Sequence, residues 1–286
     1  MRWGKGRRSA NIEDRRGRRM GGKAAGGIGG IGLIIAVGYF FLSGDPSMLI
    51  RQITGGSNFS SQPQHTVPAE LTEQEQQLTE FVSVVLADTE DVWRGIFEQN
   101  NLTYQDPTLV LYTDQTPTAC GTGQAAAGPF YCPGDQKMYL DLNFLGEMKR
   151  LGATGDFALA YVIAHEVGHH VQTLVGTADQ VRQMQARSSQ IGSNQLQVKM
   201  ELQADCFAGV WAHHAQKQRN ILEEGDIEEG IRAAAAVGDD HLQRMAGRRV
   251  VPEAFTHGSS QQRMNWLKRG LTTGDTNACN AFDQLG

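Results

Sequence analysis

Beyond residue 70 the apolar positions recur mostly at helical spacing, with two short stretches at strand spacing. Leu71, Leu78, Phe81, Val82, Val85, Val92, Trp93, Ile96 and Phe97 trace one helix face, opened by a capping box between Thr72 and Glu75. The acidic residues opposite read as a solvated surface, and Asp88 is the point where this helix could break. Thr108–Tyr112 (TLVLY) suits a strand. Residues 136–142 alternate so that Met138, Leu140 and Leu142 face one way and Tyr139 and Asp141 the other. Further helices are predicted over 156–175, stopped by Gly176, over 195–218, and over 227–246 with Ile231, Ala234, Ala235, Gly238, Leu242 and Met245 inward. The polar stretch 177–194 reads as a helix-containing surface excursion. This is an α+β pattern, mostly helical with a small sheet, in one domain over 70–286.

The first quarter of the chain reads differently. Residues 43–69 are rich in Ser, Gly, Gln and Pro, a linker composition. Residues 24–42 carry no charge, and the core of that run from Ile31 to Leu42 (IGLIIAVGYFFL) is strongly apolar. About 20 such residues span a bilayer, so 24–42 is just long enough for one transmembrane helix. The net charge of −5 hides an asymmetry, because residues 1–23 hold nine Lys and Arg against Glu13 and Asp14, a balance of +7. The rest of the chain therefore carries −12, which argues against a nucleic-acid-binding body. Basic residues before a span hold it with the N-terminus inside. The expectation is a single-pass cell-membrane protein: basic cytoplasmic tail 1–23, span 24–42, linker 43–69 and an extracytoplasmic domain. A cleaved signal peptide is the rival reading, but Ser43-Gly44-Asp45-Pro46 offers no small-x-small cleavage site.

Cysteine usage agrees with export. Cys120, Cys132, Cys206 and Cys279 form an even set without a Cys-x-x-Cys pair. Disulfides are the default outside the cytoplasm, with four buried thiols as the alternative. Pairing Cys120 with Cys132 closes a short loop worth on the order of 3 kcal/mol, and leaves Cys206 with Cys279 to pin the C-terminal tail onto a helix.

Candidate chemistry centres on residues 160–172, an apolar run interrupted by His165, Glu166 and His169. In His-Glu-x-x-His the two imidazoles lie four apart on one helix face and can share a metal ion, and the Glu can act as general base on a water there. A catalytic zinc needs a third protein ligand and an open position. Glu201 and Asp205 again stand four apart, followed on the same face by Ala208 and Ala212, whose small side chains permit close packing. Glu201 is the candidate third ligand. Asp205 is the candidate acceptor for the other ring N–H of a ligand histidine, a contact that fixes the tautomer. The bland alternative for this pair is a solvated acidic stripe. Gly168, between the histidines, admits the close approach of a neighbouring helix or of substrate. His170 points off the metal face, His213 and His214 lie too far along their helix, and Asp239, Asp240 and His241 read as a turn or solvated face.

His-Glu-x-x-His followed by Glu-x-x-Ala-Asp resembles the gluzincin metallopeptidases, including a membrane-associated group of them. More closely, the chain is similar to the neutral zinc metallopeptidases of bacterial membrane-anchored proteins. The stretches that carry this are 1–3, 11–17, 128–133, 161–172, 201–211 and 255–260. The resemblance implies a zincin-like fold, with an active-site helix packed on a small sheet whose edge strand aligns a peptide; the strand near 136–142 is the implied edge. In the membrane-associated group a His-Pro-x-x-x-x-Arg stretch follows the third ligand. Here His257 and Arg263 match it, with Gly258 in place of the proline. His257 is the implied donor to an oxyanion, although the stretch also reads as a cap for the last helix, with Ser259 as the capping residue.

Together these readings predict one Zn²⁺ per chain held by His165, His169 and Glu201, with Glu166 and His257 catalytic and a peptide or protein as substrate. Two alternatives remain at this level: a catalytically silent zinc-binding envelope scaffold, and a zinc hydrolase of a non-peptide substrate.

Overall fold

The computed structural model describes residues 1–17, 72–124 and 128–282. The predicted span 24–42 and linker 43–69 lie outside the described residues, among which no helix is long and apolar enough to cross a membrane. In chain order the elements are β1 (Ile12–Asp14), α1 (Glu73–Gln99), β2 (Thr108–Tyr112), β3 (Gln115–Thr118), β4 (Gly121–Gln124), β5 (Phe130–Cys132) and β6 (Lys137–Asp141). Then follow α2 (Phe144–Arg150), α3 (Asp156–Leu174), α4 (Thr177–Gln185), α5 (Gln190–Arg219), α6 (Asp226–Ala236), α7 (Asp239–Met245) and α8 (Ser260–Thr273). The mostly helical α+β architecture agrees with the apolar pattern.

α3 is buried almost all round, as its apolar composition requires, and packs on α5, α6, α1 and the sheet edge. Its N-terminus is capped from another element. Gly155 has φ 106°, and a Cβ there would strike the Glu229 carboxylate, which instead accepts a hydrogen bond from the Phe157 N–H at 3.2 Å. Gly168 lets α5 approach closely, since a Cβ there would lie 3.0 Å from the Ala204 backbone. The neighbour admitted by that glycine is therefore a helix. α1 runs unbroken through Asp88, because that carboxylate accepts Trp211 Nε1 at 2.8 Å and Arg219 Nε at 2.8 Å from α5. Nor is the acidic side of α1 a solvated face throughout: Glu90 is fully buried.

The predicted helix over 227–246 is two helices. Gly238 separates α6 from α7, and a Cβ there would lie 2.3 Å from the Ser260 backbone nitrogen. The break lets the start of α8 dock: Ser260 Oγ donates to the Ala235 carbonyl, and the Ser260 N–H donates to Asp240. Asp239 and Asp240 thus hold the 256–260 loop rather than facing solvent.

The four-stranded sheet runs β1-β2-β6-β5, with β1, β2 and β6 parallel and β5 antiparallel to β6. β6 is interior, so the edge implied for 136–142 is incorrect. The edge strand beside α3 is β5, tied by the Cys120–Cys132 disulfide. Met138 to Asp141 are all buried, because β6 is covered on both faces and does not alternate in exposure. The second disulfide, Cys206–Cys279, fastens the C-terminal segment to α5.

Residues 1–17 do not form a tail apart from the domain. β1 pairs in parallel with β2 in the register Ile12↔Leu109, Glu13↔Val110, Asp14↔Leu111. The Met1 ammonium lies 2.8 Å from Asp156 and 3.3 Å from Asp226, and Trp3 packs edge-on against Phe81. Hydrogen bonds from Arg15 and then Lys137 hold Glu13 down at about 2. A carboxylate depressed in this way contributes stability that is fully present above its ordinary value of 4.5 and is lost as pH falls towards 2. Protection of the Leu109 and Arg15 amides, which hydrogen-bond across this seam, should therefore fall over that window in wild type when exchange is compared with the intrinsic rate at each pH. In Glu13→Gln the loss of protection over the same window should be smaller; an equal loss in both would remove Glu13 as its cause.

Candidate metal centre

Two polar stripes face each other across the α3–α5 contact. On α3, Tyr161, His165, His169 and Gln172 follow helical spacing; on α5, Gln197, Glu201 and Asp205 do the same. His165, His169 and Glu201 each offer a ligand atom within 4.8 Å of the others. His165 Nε2 lies 3.1 Å from Glu201 Oε2, and His169 Nε2 lies 3.6 Å from Glu201 Oε1. The third residue of the motif, Glu166, is nearly buried and lines a small pocket with Pro129, Met138, Tyr139, Leu140 and Ile163, beside the N-terminal end of β5.

Each candidate ligand is oriented from behind. His165 Nδ1 lies 2.8 Å from Asp205 Oδ1, and His169 Nδ1 lies 2.9 Å from Gln172 Oε1. With both Nδ1 atoms donating, both Nε2 atoms are left towards Glu201. Gln172 is itself fixed, donating to the Met200 carbonyl at 2.8 Å and to Gln203 Oε1 at 3.0 Å. Gln197 donates to Glu201 Oε1 at 2.9 Å, one turn away on the same helix. Asp205 collects further donors: Tyr161 Oη at 2.5 Å, Arg263 Nε at 2.8 Å and Arg263 Nη2 at 2.8 Å. The sequence reading left the role of Arg263 open; its guanidinium is buried against Asp205 and reaches Tyr161, which makes it a support of the site from behind.

Burial disfavours the charged form of Asp205, but the Arg263 and His165 charges outweigh it and hold the acid at about 2. Burial also opposes protonation of His165. Asp205 and Glu201 overcome this and raise the ring from 6.5 to about 9, and Glu201 raises His169 as well. Two imidazoles and a carboxylate, converging through Nε2 and Oε atoms with tautomers set from outside, are a donor set that fits zinc. Zinc binds neutral imidazole, so below about pH 9 it must displace a proton from His165. The apparent zinc affinity of the metal-free protein should climb by about tenfold per pH unit between 6 and 9 for each proton released. Chelator competition at several pH values measures this, and an affinity flat from pH 7 to 9 would refute the proton displacement.

His257 stands at the rim of the same cluster. Its side chain is half exposed, with Nδ1 3.2 Å from Asp239 Oδ1. Partial desolvation would lower its pKa, but the Asp239 hydrogen bond and the charges of Glu201 and Asp239 raise it. The Asp239 carboxylate also accepts the backbone N–H groups of Thr256, His257 and Gly258, fixing the loop that presents the imidazole. Ser259 caps α8 in a capping box with Gln262. Three further histidines have partners elsewhere: His170 lies against Tyr131 Oη and the Gln105 carbonyl, His213 against the Leu271 carbonyl, and His214 against the Gly274 carbonyl. Sequence reasoning missed Gln172 and Gln197, and read Asp239 as part of a turn or solvated face. The first two carried a usable signal, lying three residues after His169 and four before Glu201.

Comparison with known proteins adds an independent line. A sequence profile of the family described as "Putative neutral zinc metallopeptidase" matches residues 1–282. The chain is similar to the uncharacterized protein YpfJ of Escherichia coli strain K12, 50% identical over 293 aligned positions that cover 99% of each chain. It is also similar to the uncharacterized protein Rv2575 of Mycobacterium tuberculosis strain H37Rv, 43% identical over 190 positions, 63% of each chain. No solved structure matches it.

Proposed function

The chain belongs to the neutral zinc metallopeptidase family, and from that premise we propose that it is a peptidase in which His165, His169 and Glu201 hold one zinc ion and Glu166 is the general base. The observation that carries this reading is the convergence of two Nε2 atoms on the Glu201 carboxylate, each ring locked from behind, with Glu166 in a pocket alongside. Zinc bound there would supply a water acidic near neutral pH and polarise the scissile carbonyl. The Glu166 carboxylate would take the proton of the attacking water and return it to the leaving amine. His257, steered by Asp239, would donate to the oxyanion that develops on the substrate carbonyl.

As the edge strand nearest α3, β5 offers the backbone along which an extended peptide would lie, as in zincin-like folds. The two disulfides support an extracytoplasmic location, and the apolar run at 24–42 supports attachment to a membrane. The reading predicts that chelator-treated protein loses cleavage of unstructured peptides, and that about one equivalent of Zn²⁺ restores it. Stoichiometric zinc uptake with no cleavage of a diverse peptide mixture would instead favour a silent zinc-binding scaffold.

A further inference from the structure

The segment between residues 17 and 72 contains the run read from sequence as a single transmembrane helix, which would put residues 1–17 and the domain on opposite sides of a bilayer. The packing of residues 1–17 is incompatible with that arrangement. β1 is a strand of the same sheet as β2, and its seam is extended by Leu109 N–H to the Asn11 carbonyl and Arg15 N–H to the Leu111 carbonyl, both at 2.8 Å. Glu90, fully buried on α1, is satisfied chiefly from this segment: it accepts Ser9 Oγ at 2.5 Å, Arg7 Nη2 at 2.7 Å and Asn11 Nδ2 at 2.8 Å. Withdrawing residues 1–17 would strip those partners from a carboxylate set in the fold's interior and expose the β2 edge.

Four of the basic side chains that favour an inside N-terminus are also engaged, all within the described residues 1–17. Arg7 pairs with Glu90 and Asp91, Arg8 with Glu80, Arg15 with Glu13 and Arg16 with Asp14. An even number of crossings would satisfy the packing, but residues 43–71 contain Asp45, Arg51 and Glu70 among Pro, Ser, Gly and Gln, and supply no second apolar run of about 20 residues.

We infer that residues 1–17 and the zinc-site domain lie on the same side of the membrane, so that the chain between them does not cross it in a single pass. The inference concerns topology and stands whether or not the chain cleaves peptides.

Single cysteines at two exposed positions test it in the full chain: Lys5→Cys on the N-terminal segment and Gln183→Cys on α4. Spheroplasts expressing either variant are treated with a membrane-impermeant maleimide, before and after permeabilisation. The expected result is concordance, with both sites labelled to a similar extent before permeabilisation or both labelled only after it. Labelling of one in intact spheroplasts, with at least tenfold protection of the other, would overturn the inference. Ala10→Cys with Arg187→Cys, also exposed, provides a second pair if either first variant fails to accumulate.

Discussion

Glu166→Gln is expected to bind one zinc per chain as wild type does, and to cleave peptides about 10²- to 10⁴-fold more slowly. The substitution keeps the size of the side chain and removes only its capacity to take and return a proton. Glu166 lies outside the trio whose ligand atoms cluster, so metal content should not respond. Zinc measured by elemental analysis and cleavage measured on the same preparation separate the two roles. Loss of zinc in Glu166→Gln would make it a ligand. Unchanged cleavage with zinc retained would remove it from the chemistry altogether.

The second large effect is expected at Asp205. This buried carboxylate meets His165, Tyr161 and the Nε–Nη2 edge of the Arg263 guanidinium. Asp205→Asn removes the charge that orients His165, and zinc affinity should fall by about 10- to 100-fold. It also leaves the buried Arg263 cation without its counter-ion, a loss on the order of 3–5 kcal/mol when one partner of a buried pair is removed. Denaturant unfolding of the metal-free protein would measure that loss. The double variant Asp205→Asn with Arg263→Met should recover much of the stability and none of the zinc affinity. Recovery of both would mean that Asp205 acts on the metal only through the fold.

Much of this site was legible before any coordinates, for a physical reason. His165, Glu166 and His169 interrupt a helix that is otherwise apolar, and Glu201 with Asp205 repeats the same four-residue period on a second helix. Local spacing alone places these side chains on faces, and chemistry limits what such faces can do. Gln172, three residues after His169, shares its helix face, but whether an uncharged amide there faces solvent or is buried and holds His169 is decided by the neighbouring helix, through Met200 and Gln203.

The features that were not legible depend on distant partners. β1 has a single apolar residue in a basic stretch, and it becomes a strand only because β2 offers an open edge. Glu90 looks solvated in a helical wheel, and its burial is created by residues 7–11 folding back over it. The interruption at Gly238 is set by Ser260, some twenty residues downstream. The position of β6 inside the sheet is a matter of strand order, which alternation within one strand does not encode.

X-ray absorption at the zinc edge of the wild-type protein, reconstituted with one equivalent, addresses the central claim most directly. The expected shell is two imidazole nitrogens at about 2.0–2.1 Å, one carboxylate from Glu201, and at least one exchangeable water oxygen. Substituting His165, His169 or Glu201 should each remove one protein ligand from that set. A closed shell of four protein ligands with no water, or a shell unchanged by Glu201→Ala, would contradict it.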